Sequence, residues 1–163
     1  MRIPNQLIDL TAIDEINISG RGGREREISV LLPLWRRSNS PLYDYEIDVD
    51  GELLRLEVKK QANLQWFDSG KYHDLASVDR DIRIMFLIHK KGRIDVVVVA
   101  LLGEFLDWLF EHRYSDGWNR EVLRTGADFK ARFPSLQFKA PAHIATILNE
   151  APRLFDVVYR RTS

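Results

Sequence analysis

Polar and apolar residues alternate on both sides of Asp50-Gly51. Tyr43, Tyr45, Ile47 and Val49 precede this dipeptide at every second position, and Leu54, Leu56 and Val58 follow it. Strand side chains point alternately to opposite faces, and Asp-Gly favours a type I′ turn, whose two central residues need positive φ. The pattern predicts a hairpin with strands over 43–49 and 52–61. Val49 then pairs with Glu52, and Asp44 falls opposite Glu57. The seven apolar residues above would form one face, directed to a core. The other face would gather Asp44, Glu57, Lys59 and Gln61.

The remaining pattern fills in an α/β chain. Residues 4–16, with Leu7, Ile8, Leu10 and Ile13, predict a short helix, which Gly20, Gly22 and Gly23 break. Ile28, Leu31, Leu32 and Trp35 form a helical stripe predicting a second helix over 24–32, closed by Pro33. Residues 38–41 read as a loop. The runs 82–89 and 94–102, separated by Lys91-Gly92, are continuously apolar, as in strands buried on both faces. Between hairpin and runs, 62–80 is irregular, with a short helix near 73–79. Helices are expected at 104–112, 119–132, 142–149 and 152–160, a turn at 114–117 and a short strand at 136–139. There is no repeat, low-complexity tract or linker, so one domain is expected over 1–163.

Composition narrows the classes of function. At 45% hydrophobic residues the chain has material for a real core. No apolar stretch has membrane-spanning length, and no charged-then-apolar leader opens the sequence, so a cytoplasmic protein with no membrane partner is expected. The absence of cysteine rules out disulfides and thiolate metal sites. Lysine plus arginine (24) equals aspartate plus glutamate (24), unlike a simple polycation that coats nucleic acid. Residues 1–58 carry seven basic against eleven acidic side chains, and 120–163 carry eight against four. An acidic cluster needs a metal before it can approach phosphate, while basic segments can track a backbone. No Gly-rich phosphate loop of the Walker type occurs, which argues against a nucleotide triphosphate.

Two carboxylates and an amine on one rigid face suit a hard cation. Mg²⁺ takes oxygen ligands, typically one or two carboxylates plus substrate phosphate, and keeps several waters. Asp44 and Glu57 supply that pair, with the Val58 carbonyl as a further oxygen. Lys59 would stabilise negative charge developing on the phosphate and orient or deprotonate the nucleophile. Gln61 would either orient water or bond the strand edge. The competing reading is an ordinary amphipathic hairpin with a solvated face, on which Glu46 and Arg55 form a cross-strand pair.

Asp44, Glu57 and Lys59, with Gln61 extending the face, resemble the PD-(D/E)xK nuclease superfamily, in which an Asp precedes Glu-x-Lys on the next strand. Tyr43 stands where the naming proline would be. The resemblance covers about 23–102 and implies a restriction-endonuclease-like core. Such a core is a mixed sheet, here of about four to five strands, flanked by helices, and 103–163 would be a helical extension. Glu25 is placed like the helix acid that many members add to the metal site, and would bind a second ion or a metal-bound water; a helix-end salt bridge is the alternative.

The later portion looks most like small homodimeric type II restriction endonucleases (PvuII-like). That implies a Mg²⁺-dependent endonuclease, with Mn²⁺ as substitute, cutting double-stranded DNA as a homodimer. His73 sits where such enzymes contact bases, and Lys71 and Lys60 are further nucleic-acid candidates. The spacing from Asp44 to Glu57 also looks like Holliday-junction resolvases, which leaves a structure-selective nuclease open. A non-catalytic nucleic-acid or protein binding module is the alternative of a different class.

Overall fold

The computed structural model describes residues 2–19, 24–62, 66–68, 79–112, 139–141 and 144–162. Their elements are α1 (Arg24–Leu31), β1 (Arg36–Arg37), β2 (Tyr45–Val49), β3 (Glu52–Ala62), β4 (Trp66–Asp68), β5 (Arg83–Lys90), β6 (Arg93–Leu101), α2 (Leu102–His112), β7 (Lys139–Pro141), α3 (Ile144–Glu150) and β8 (Asp156–Arg160). The fold is mixed α/β around an open six-stranded sheet, ordered β1-β2-β3-β5-β6-β8, while β4 and β7 pair separately.

The expected hairpin forms in the expected register. Asp50 (φ 50°) and Gly51 (φ 81°) close it, and Val49↔Glu52, Ile47↔Leu54 and Tyr45↔Leu56 are partners. Lys91 (φ 52°) and Gly92 (φ 87°) make the same kind of turn between β5 and β6. The two hairpins join along one parallel seam, where Glu57 lies beside Ile84 and Lys59 beside Phe86. All other pairings in the large sheet are antiparallel.

Each sheet face carries a core. On one, Leu54, Leu56, Met85 and Val97 pack with Tyr45 and with Ile28, Leu31 and Leu32 of the α1 region. On the other, Ile84, Phe86, Ile88 and Val98 pack with Phe105, Leu106 and Leu109 of α2 and Ile147 of α3. Phe86, Phe105 and Phe155 form a three-ring cluster, with centroids 5.1, 6.0 and 6.2 Å apart.

Four expectations need correction. The sheet has six strands, not four to five. Residues 152–160 are a short 3₁₀ turn at Pro152–Leu154 followed by β8, not a helix. Val157, Val158 and Tyr159 favour extended backbone, and the valines of β6 offer them an edge to pair with. Residues 4–16 form two 3₁₀ turns, Asn5–Leu7 and Ile13–Glu15. Asp9 draws the Thr11 N–H (3.0 Å) and hydroxyl (2.7 Å) to its carboxylate, a local bond that competes with helix. Tyr43 packs on the α2 side, opposite Tyr45, and its hydroxyl donates to Glu46 (3.1 Å). Strand alternation breaks at Asp44, which precedes β2. The expected short helix near 73–79, the turn at 114–117, the helix at 119–132 and most of the strand at 136–139 lie outside the described residues.

The second turn makes stability respond to acid. His89 Nδ1 accepts the Gly92 N–H at 3.1 Å, which requires that nitrogen to be unprotonated. Burial lowers the His89 pKa from its ordinary 6.5, the Lys60 ammonium lowers it further, and Asp95 opposes both. Between the depressed value and 6.5 the unfolded chain binds more protons than the folded one. The contribution of His89 is therefore whole above about pH 6.5 and declines as pH falls towards the folded pKa. Thermal melts at about pH 7.5 and about pH 5.5 should show a larger loss in the parent than in His89→Gln; equal losses would remove His89 as the cause.

Candidate active site

The site grows from the start of β2 and the middle of β3. The Asp44 backbone N–H donates to the Leu56 carbonyl (2.9 Å), and its own carbonyl accepts the Ser38 N–H (2.9 Å). So anchored, the side chain turns to β3, where Oδ2 accepts the Val58 N–H at 2.9 Å. The carboxylate thus takes up a backbone donor at the ladder end and is held against the residue between Glu57 and Lys59.

Glu57 is 3% exposed, the one buried charged side chain among the described residues. Its Oε1 lies 3.1 Å from Lys59 Nζ, and Lys59 is about one-third exposed. Register with Ile84 and Phe86 puts both residues on the α2 side of the sheet. Burying a carboxylate costs heavily unless it is paired, and Lys59 supplies the pairing. The expected Glu46–Arg55 ion pair gives way to others: Glu46 meets Arg36 at 3.3 Å, and Arg55 meets Asp79.

A pocket of about 240 Å³ opens beside Asp44. Arg37, Asp44, Tyr45, Val58, Lys59 and Lys60 line it, together with Ile28 of α1. The structure therefore brings Asp44, Val58, Lys59 and Lys60 together around one cavity, while Glu57 is not part of its lining. Lys60 points to the α1 side, and its Nζ donates to the Ile18 carbonyl at 3.0 Å. Gln61 continues β3 opposite Ile88, and Glu25 lies in the first turn of α1; their side chains are outside the described set, as are Lys71 and His73.

Arg37 is the residue that sequence reasoning missed. Its guanidinium lies 4.8 Å from the centroid of the buried Tyr45 ring, and it comes from a strand too short to leave a periodic pattern. The Arg36-Arg37 doublet was its only signal.

The donor chemistry fits a hard divalent cation. Asp44 and Glu57 are oxygen donors on neighbouring segments, and two carboxylates suffice for an ion that also binds phosphate and water. Among the described residues no cluster of three or more His, Cys, Asp or Glu occurs, so the described site offers at most this pair.

No family model matches this chain, and no curated protein or solved structure matches it. Among the described residues no helix is long and apolar enough to cross a membrane.

Proposed function

We propose that the chain is a metal-dependent endonuclease with a restriction-endonuclease-like core, hydrolysing phosphodiester bonds of duplex DNA as a type II restriction homodimer. One observation carries this reading: the hairpin holds the Asp44 carboxylate on the N–H of Val58, the residue between the buried Glu57 and its partner Lys59 in the chain. A solvated hairpin face has no reason to bury the Glu57 carboxylate there. The Asp-then-Glu-x-Lys resemblance supplies the reaction class.

Asp44 and Glu57 would hold Mg²⁺, with Mn²⁺ as substitute. When bound, the ion would polarise the scissile phosphate and acidify a water. Lys59, which lines the pocket, would stabilise charge on the phosphate oxygens and orient the attacking water. Water adds to phosphorus, the P–O3′ bond breaks, and the products are a 5′-phosphate and a 3′-hydroxyl.

Digestion of supercoiled plasmid and genomic DNA with Mg²⁺, beside EDTA, tests the reading. Discrete fragments that vanish with EDTA are expected. Nicking or smearing would retain the nuclease and move it to the structure-selective class, with four-way junctions as the next substrate. Absence of cleavage on duplex, junction and RNA by folded protein would overturn it.

A further inference from the structure

The turn between β5 and β6 reads Lys90-Lys91-Gly92-Arg93. Lys90, Lys91 and Arg93 are exposed, and none of them is in an ion pair among the described residues. Crowding cations there opposes stability in two ways. Lys91 sits at φ 52°, where a type I′ turn favours Asn, Asp or Gly and where the other hairpin uses Asp50. Lys90 and Arg93 are strand partners, and like charges directly opposite each other destabilise a ladder.

The same turn is firmly braced. The Ile18 N–H donates to the Gly92 carbonyl (3.0 Å), the Gly92 N–H donates to His89 Nδ1 (3.1 Å), and Asn17 bridges to Arg93. Gly92 is buried, and a Cβ in its place would run into Asn17 and Ser19. Cations on so fixed a turn lose less freedom on meeting an anion than cations on a loose loop.

Their position ties them to the site. Ile84, Phe86 and Ile88 lie on the α2 side of the sheet. Lys90 continues that row by alternation, and Arg93 shares its face as its partner. Glu57 and Lys59 occupy the same side, through register with Ile84 and Phe86. At about 3.3 Å per residue, Lys90 lies roughly 13 Å along β5 from Phe86, the neighbour of Lys59.

We infer that this turn is a DNA-backbone contact: Lys90, Lys91 and Arg93 hold phosphates that flank the scissile one, on the face that carries Glu57 and Lys59. This rests on the nuclease reading and names the part of the substrate that the far end of the sheet receives. The three cations bind and position the duplex; they do not touch the reacting phosphate.

The test is salt-dependent binding. Affinity for a fluorescein-labelled DNA duplex is measured by anisotropy with Ca²⁺ in place of Mg²⁺ over a series of salt concentrations. The proteins are the parent, Lys91→Asn and the triple variant Lys90→Gln/Lys91→Gln/Arg93→Gln, with thermal melts to establish folding. Each phosphate neutralised contributes about 0.9 to the slope of log affinity against log salt. The triple variant should bind about tenfold more weakly, with a slope flatter by up to about 2.7. Lys91→Asn, which suits the φ of the turn, should melt no lower than the parent and flatten the slope by about 0.9. With Mg²⁺ and saturating protein, the triple variant should cut at the parental rate; a loss there would overturn a flanking role. A parent that binds duplex with the same slope as both variants overturns the contact and leaves the nuclease standing. A parent that binds no duplex overturns both.

Discussion

Lys59→Met is expected to lower Mg²⁺-dependent cleavage by about a hundredfold to a thousandfold, the usual cost of removing one preorganised group from the developing charge of a transition state. Methionine keeps most of the apolar stem and discards only the ammonium. The same change removes the ammonium that lies 3.1 Å from the Glu57 carboxylate, a group only 3% exposed. Stability should therefore fall as well, by less than the ~3–5 kcal/mol of a fully buried pair, because Lys59 is partly exposed. The double variant Glu57→Gln/Lys59→Met reads the stability effect alone, because Glu57 is itself a proposed Mg²⁺ ligand. With no charge left to bury, it should regain melting temperature over Lys59→Met and stay inactive. Recovery of activity in it would overturn both Glu57 as a metal ligand and Lys59 as a catalytic group.

Phe86→Ala is expected to cost about 3–5 kcal/mol, against a total stability of about 5–15 kcal/mol for a domain. Phe86 lies on β5 at 0% exposure, under both Phe105 of α2 and Phe155 just before β8. Truncation leaves a cavity where three elements meet and none can close in without moving the others. Its strand partner across the parallel seam is Lys59, so the cavity would also loosen the support of the site. Urea unfolding should show the midpoint falling with little change in slope; a loss under 1 kcal/mol would mean that the ring cluster collapses to fill the space.

The hairpin was legible because everything that specifies it is local. Asp50 and Gly51 take positive φ, and alternation on either side sets the register. The strands at β5 and β6 were legible for a related reason: their apolar runs are too dense for a half-solvated element. Legibility failed where a distant partner decided the outcome. Asp156-Val157-Val158-Tyr159-Arg160 reads equally as a short helix or a strand until β6, about 60 residues earlier in the chain, offers an edge. Tyr43 was placed on the wrong face because alternation was carried through Asp44. There, bonds donated by Ser38 and Val58 and one donated to Leu56 break the pattern. Asp44, Glu57 and Lys59 were singled out from the hairpin's register and the resemblance of their pattern to a known motif. The pairing of Glu57 with Lys59, and the pocket that Lys59 lines and Glu57 does not, needed coordinates.

The parallel seam has a consequence for how such a protein can diversify. Because β3 and β5 run the same way, the chain leaves the sheet past Ala62 and must return to its opposite end to begin β5 at Arg83. The intervening stretch has to travel the length of the sheet, and the turns that close the two hairpins, at Asp50-Gly51 and Lys91-Gly92, both lie outside it. Doubling the length of a flexible connection costs only about 0.6 kcal/mol in closure entropy. The crossing can thus be rewritten by insertion or deletion while turn chemistry at Asp50-Gly51 keeps Asp44, Glu57 and Lys59 in place.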